Sequence, residues 1–129
     1  MINYIDEEVI NEIRKKLNLP TTIINKSALS YILSSVKDLY NDDENDLKDI
    51  LSKKAAYILF NMVTLHPFLD GNKRTAFAAA NIFLRLNGYH INIQHEEGVR
   101  FIISIAKGEY NEIDVRKWIK KYIKRFESN

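Results

Sequence analysis

Apolar residues recur at three- and four-residue intervals along most of this chain, the spacing of amphipathic helices. Six segments carry the pattern. The first predicted helix spans residues 6–17, with Val9, Ile10, Ile13 and Leu17 as its apolar stripe. Asp6 suits its cap, Glu7 and Glu8 its first turn, and Arg14, Lys15 and Lys16 its last. Pro20 breaks the chain, and the β-branched Thr21, Thr22, Ile23 and Ile24 read as a short extended segment. A second helix is expected over 27–40, capped by Ser27, with Leu29, Ile32, Leu33 and Val36 inward.

Residues 41–46 are polar and acidic, a surface loop whose charges favour the next helix start. That helix covers 46–65. It begins amphipathic and turns apolar throughout, so it is expected to be central. Pro67 ends it and should hold His66 in an extended geometry. The fourth helix covers 72–87, with Gly88 as its C-terminal stop. Ala76, Ala78, Ala79 and Ala80 permit close packing, and Arg74, Asn81 and Arg85 leave one narrow polar stripe. Two more helices follow, at 94–107 and 112–126. The last sets Val115, Trp118, Ile119, Tyr122, Ile123 and Phe126 against a basic face. The fold class is therefore all-α, a bundle of about six helices with one short extended segment or hairpin before residue 27.

Between the third and fourth helices lies His66-Pro67-Phe68-Leu69-Asp70-Gly71-Asn72-Lys73-Arg74. His66 can act as a general base because imidazole titrates near neutrality. Asp70 can ligate Mg²⁺, or can cap the helix that follows. Gly71 allows close approach of the backbone to a ligand, or makes the turn. Asn72, Lys73 and Arg74 occupy the first helical turn, where unpaired N–H groups bind anions. Cations there oppose the helix dipole, so two in succession are unfavourable unless an anion sits among them. Pro67 and Phe68 support the loop, the ring of Phe68 entering the core.

Composition narrows the setting. The chain has 129 residues and an apolar share of 46%, which suits a single domain over 1–129. So small a scaffold implies a large partner supplying the rest of the reaction. A net charge of +2 is too mild to argue for direct nucleic-acid binding, and the basic face of the last helix reads as solvated. Cysteine is absent, which excludes disulfides and thiolate metal sites and fits a reducing cytosol. The start lacks a basic-then-apolar leader, and the longest apolar run, 55–60, is far short of a membrane span. A soluble cytoplasmic protein is expected. His90 and His95 lack the partners a zinc site needs.

The run His-Pro-Phe-Leu-Asp-Gly-Asn-Lys-Arg-Thr-Ala at 66–76 resembles the signature of the Fic/Doc superfamily, the death-on-curing (Doc) toxin branch in particular. Lys53-Lys54-Ala55-Ala56, Phe83-Leu84-Arg85-Leu86-Asn87-Gly88-Tyr89, and the stretch from Ala106-Lys107-Gly108 to Trp118 extend the likeness over about residues 47–119. The resemblance implies a helical Fic fold and transfer from a nucleotide to a protein hydroxyl. His66 would be the motif base, Asp70 the Mg²⁺ residue, and Gly71, Asn72, Lys73 and Arg74 the anion-binding turn.

Two departures bear on the reaction. AMP-transferring Fic enzymes usually carry glycine where this chain has Lys73, and a second arginine where it has Phe77. Doc-type proteins share the lysine. For them the resemblance implies a kinase: ATP binds reversed, and His66, Mg²⁺ and Arg74 serve phosphoryl transfer to a Ser or Thr. Translation elongation factor Tu is the target so implied. An AMP transferase and a catalytically silent interaction module are the competing readings. The inhibitory pattern of many Fic proteins, Ser or Thr, then three residues, then Glu-Gly or Glu-Asn, is not met: Ile93 stands at that spacing before Glu97-Gly98 and Tyr40 before Glu44-Asn45. A separate antitoxin, docking a helical segment in an apolar groove, is the expected regulator.

Overall fold

The computed structural model describes residues 1–41 and 46–126. Six helices and a two-stranded ribbon follow one another: α1 (Glu7–Lys16), α2 (Lys26–Asp38), α3 (Leu47–Leu65), α4 (Asn72–Leu86), β1 (Tyr89–Ile91), α5 (His95–Ala106), α6 (Glu112–Tyr122) and β2 (Ile123–Arg125). The all-α class holds, with a minor ribbon added.

Capping explains most of the boundaries. Asp6 accepts from the Val9 N–H at 3.0 Å and Asp46 from the Asp49 N–H at 2.7 Å. Asn111 and Asp114 form a reciprocal capping box on α6. Asn25, not Ser27, caps α2: its side chain accepts from Ala28 at 3.1 Å. Asn25 and Ser27 are both cap formers, and the earlier residue wins because its chain is already held by the loop near residue 67. Of the acidic stretch 41–46, Asp42, Asp43, Glu44 and Asn45 lie outside the described residues.

The central position expected for the third helix is observed. α3 packs against α2, α4, α5 and α6. Leu51, Ala55, Ile58, Leu59 and Met62 are buried on it, against Ala76, Ala79, Ala80 and Phe83 of α4. The alanines let the two backbones approach closely. Lys54 is also fully buried on α3. Its Nζ donates to the Val36 carbonyl at 2.9 Å, to Asn41 Oδ1 at 2.9 Å and to the Tyr4 hydroxyl at 2.8 Å. Three N–H donors thus meet three neutral oxygens, and the C-terminal end of α2 is tied to the core.

One expectation here needs correction. The last helix does not reach Phe126: it ends at Tyr122, and Ile123–Arg125 pairs antiparallel with Tyr89–Ile91. Over three residues, one buried position with exposed neighbours fits a strand as well as a helix; pairing across the chain decides it. Gly88 (φ 91°) turns the chain after α4 and so presents β1 to that partner. Of the short extended segment or hairpin expected before residue 27, the extended form is what the described residues show, not a hairpin. Ile23 instead makes a single antiparallel bridge to Phe68.

The alanine contact yields a test. Ala79→Leu should overpack the α3–α4 interface and cost about 1–3 kcal/mol of stability, read as a lowered urea midpoint with an unchanged m-value.

Candidate functional site at the α3–α4 junction

The loop between α3 and α4 is held from three directions. From α2's entry strand, the N–H groups of Ile24 and Asn25 donate to the Pro67 carbonyl at 3.0 and 3.1 Å. From α4, Asn72 spans the turn: its Oδ1 accepts from the Phe68 N–H at 2.9 Å and its Nδ2 donates to the Phe68 carbonyl at 2.7 Å. From α1, the guanidinium of Arg14 lies 3.7 Å over the Phe68 ring. Phe68 itself is 1% exposed.

Arg14 is the residue that sequence reasoning misplaced. It reads there as a cation suited to a helix end, yet it is 1% exposed. Its Nε donates to the Pro20 carbonyl at 2.6 Å. Its Nη1 donates to the Asp70 carbonyl at 3.1 Å and to Thr75 Oγ1 at 2.9 Å. Burial lowers its pKa from the usual arginine value, the Asp70 carboxylate raises it, and Arg74 lowers it further. A signal was available: Arg14 stands four residues after Ile10 and three before Leu17, within the apolar stripe of α1.

His66 adopts the left-handed conformation (φ 50°, ψ 63°) as the C-cap of α3, which corrects the extended geometry expected for it. Proline forbids only the right-handed helical region to its predecessor. Histidine tolerates the left-handed well better than most residues, and that well ends a helix abruptly. The imidazole is exposed beside the loop, not turned into the interior.

Gly71, also left-handed (φ 71°), is the N-cap of α4, so Asp70 does not cap that helix. A side chain at Gly71 would be strained by this backbone and would press on Leu19. No side chain caps α4, and the N–H groups of its first turn stay available. Thr75 Oγ1 donates back to the Gly71 carbonyl at 2.7 Å. Lys73 and Arg74 are exposed and form no ion pair among the described residues.

The carboxylate of Asp70 is 68% exposed, and its Oδ1 lies 3.7 Å from Arg14 Nη2. Among the described residues no group of three or more His, Cys, Asp or Glu could hold a metal ion by itself. One exposed carboxylate is nonetheless the donor set that suits Mg²⁺ arriving with phosphate oxygens and water. Asn72 differs from its neighbours: both ends of its carboxamide are engaged by Phe68, so its side chain serves to hold the turn. The junction thus places an exposed base, an exposed carboxylate, two cations and an uncapped helix start around one turn.

Arg14→Met should unseat this loop. Three oxygens, from Pro20, Asp70 and Thr75, lose their donor at once, a destabilisation on the order of 3 kcal/mol, measurable by urea unfolding. An unchanged midpoint would contradict the clamp.

Comparison with known proteins bears on this geometry. A model of the Fic/DOC family matches residues 1–84. The chain is 38% identical over 63 residues to Toxin Doc of Mycolicibacterium smegmatis, covering 49% of this chain and 44% of that protein. It is 33% identical over 61 residues to Protein adenylyltransferase fic-1 of Caenorhabditis elegans, covering 46% of this chain and 12% of that protein. The matches therefore span less than half the length of either curated relative.

Proposed function

The chain belongs to the Fic/DOC family, and on that footing we propose that it is a Doc-type toxin that moves the γ-phosphoryl of Mg-ATP to a Ser or Thr hydroxyl of a protein. The observation that carries the reading is the uncapped start of α4, with Lys73 and Arg74 exposed on its first turn and His66 exposed at the end of α3, across the same loop in sequence. Cations at that position are unfavourable for a helix in isolation. A polyphosphate resolves the conflict.

In this mechanism His66 accepts the proton of the target hydroxyl. The hydroxyl oxygen forms the new P–O bond as the bond to the departing ADP breaks. The N–H groups after Gly71, with Lys73 and Arg74, hold the phosphates and take up charge as it shifts to the leaving oxygen. Asp70 would hold Mg²⁺, whose positive charge screens the phosphates. Arg14 touches none of the reacting atoms in this scheme; it positions Asp70 and Thr75.

AMP transfer is the second reading, and the likeness to an adenylyltransferase favours it. Against it stand two side chains. Lys73 fills the space that glycine would leave for an α-phosphate. Phe77, in the place of a second arginine, lies between α4 and α5 next to Gly98 and Ile93 and so offers a phosphate nothing.

The target we propose is a translation factor, elongation factor Tu being the first to assay. Regulation would come from an antitoxin segment folding as a helix. A groove of about 600 Å³ between α1 and α4 suits it, with Val9, Ile13, Leu17, Ala78 and Ile82 as its apolar lining. An internal brake at Glu97-Gly98 has no support, because Gly98 is buried within α5 against Phe77 and Ile93. Glu44-Asn45 lies outside the described residues. No described helix is long and apolar enough to cross a membrane.

Lysate incubated with the protein and ATP labelled at either the γ or the α phosphate separates the readings. Protein-bound label from the γ position, absent with His66→Ala, is expected; label retained only from the α position refutes the kinase. Lys73→Gly should reduce phosphorylation by about tenfold or more, as loss of one phosphate-holding donor does. Undiminished transfer by that variant would remove Lys73 from the mechanism.

A further inference from the structure

The phase of the β1–β2 ladder shows which backbone groups face outward. The Phe126 N–H donates to the Gly88 carbonyl at 2.7 Å, and the Asn92 N–H to the Tyr122 carbonyl at 2.9 Å. In the register that pairs Tyr89 with Arg125, His90 with Lys124 and Ile91 with Ile123, bonded and non-bonded pairs alternate. His90 and Lys124 are therefore a bonded pair, while the polar backbone groups of Tyr89, Ile91, Ile123 and Arg125 point away from the ribbon.

On the β1 side that edge is closed: Asn81 Oδ1 accepts from the Ile91 N–H at 2.9 Å, and α4 packs along the strand. On the β2 side the Ile123 N–H turns back to the Ile119 carbonyl. The Arg125 N–H and the carbonyls of Ile123 and Arg125 find no partner among the described residues.

A depression beside this edge is lined by basic and apolar side chains among the described residues. Lys48, Lys124, Arg125 and His90, with Tyr89, Ile123 and Phe126, line an open depression of about 800 Å³. No carboxylate is among the described residues that line it. Phe126 is 45% exposed there, with the Arg85 guanidinium 4.9 Å over its ring. A short, lysine-bearing edge resists pairing with a second copy of the same chain. The same charges favour a strand of opposite sign.

We propose that β2 receives an extended acidic segment of a partner protein as a third strand, main chain bonding to Ile123 and Arg125 and carboxylates facing the cations of this rim. The inference is independent of the transferase reading.

The test is an NMR titration of the isotope-labelled full chain with an acetylated, amidated octapeptide of alternating aspartate and valine. Shifts at the amides of Ile123, Lys124 and Arg125, slowed exchange of the Arg125 N–H, and weakening with added salt are expected. Lys124→Glu, at an exposed site, should weaken binding by about tenfold or more. Arg125→Pro deletes an outward N–H but no ladder bond, and should abolish binding while the Trp118 fluorescence of the folded chain persists. No response at β2 at about 1 mM peptide overturns the proposal. So does an equal response to a lysine–valine octapeptide or to oligouridylate, or self-association of the free chain through β2 in sedimentation.

Discussion

A single buried guanidinium joins the parts of this molecule that the site requires. Arg14 reaches from α1 to the Pro20 turn, to the carbonyl of Asp70 and to Thr75 in the first turns of α4, with Phe68 stacked beneath it. Burying a cation is costly, and the cost is offset only because oxygens already meet its donors and an aromatic face covers its plane. Aliphatic packing could hold α1 against α4. It could not also fix the carbonyl of Asp70, and with it the direction in which that carboxylate leaves the loop. The price of this arrangement is a third cation under a turn that already bears Lys73 and Arg74. Among the described residues Asp70 is the carboxylate that faces Arg14, at 3.7 Å.

The helices were legible because each has a stripe at helical spacing and a recognisable cap; Asp6 and Asp46 act as their residue types suggest. The junction was legible as a candidate site because its composition conflicts with helix electrostatics. Arg14 was obscured by a sufficient local explanation: a cation in a last turn already satisfies the dipole, and only its position beside Ile10 and Leu17 hints at burial. β2 was obscured for another reason. Its partner lies some thirty-five residues away in sequence, at Tyr89–Ile91, and no local pattern encodes that meeting. His66 lay between: proline removed one backbone well but did not choose between the remaining two.

Phe77 has two consequences, not one. It stands where the resemblance to AMP-transferring Fic enzymes would put a second arginine, and it fills the seam between α4 and α5. Gly98 lets α5 approach so closely that an added Cβ would meet Ile93 at 3.1 Å and Phe77 at 3.5 Å. The departure from the arginine pattern is thus embedded in helix packing. Phe77→Arg alone would place a long cation in a seam shaped for a ring.

The left-handed backbone of His66 completes this logic. A non-glycine residue in that well costs on the order of 1 kcal/mol and persists where neighbours over-determine it. Here they do. The Pro67 carbonyl is fixed by two N–H donors, and the peptide groups of Phe68 are held at both ends by Asn72. The ring of Phe68 is locked between the core and Arg14. With residues 67 and 68 immobile and α3 ending one residue before His66, the chain has one way to close the gap, and that way leaves the imidazole outside. The left-handed backbone at His66 therefore follows from how firmly residues 67 and 68 are held.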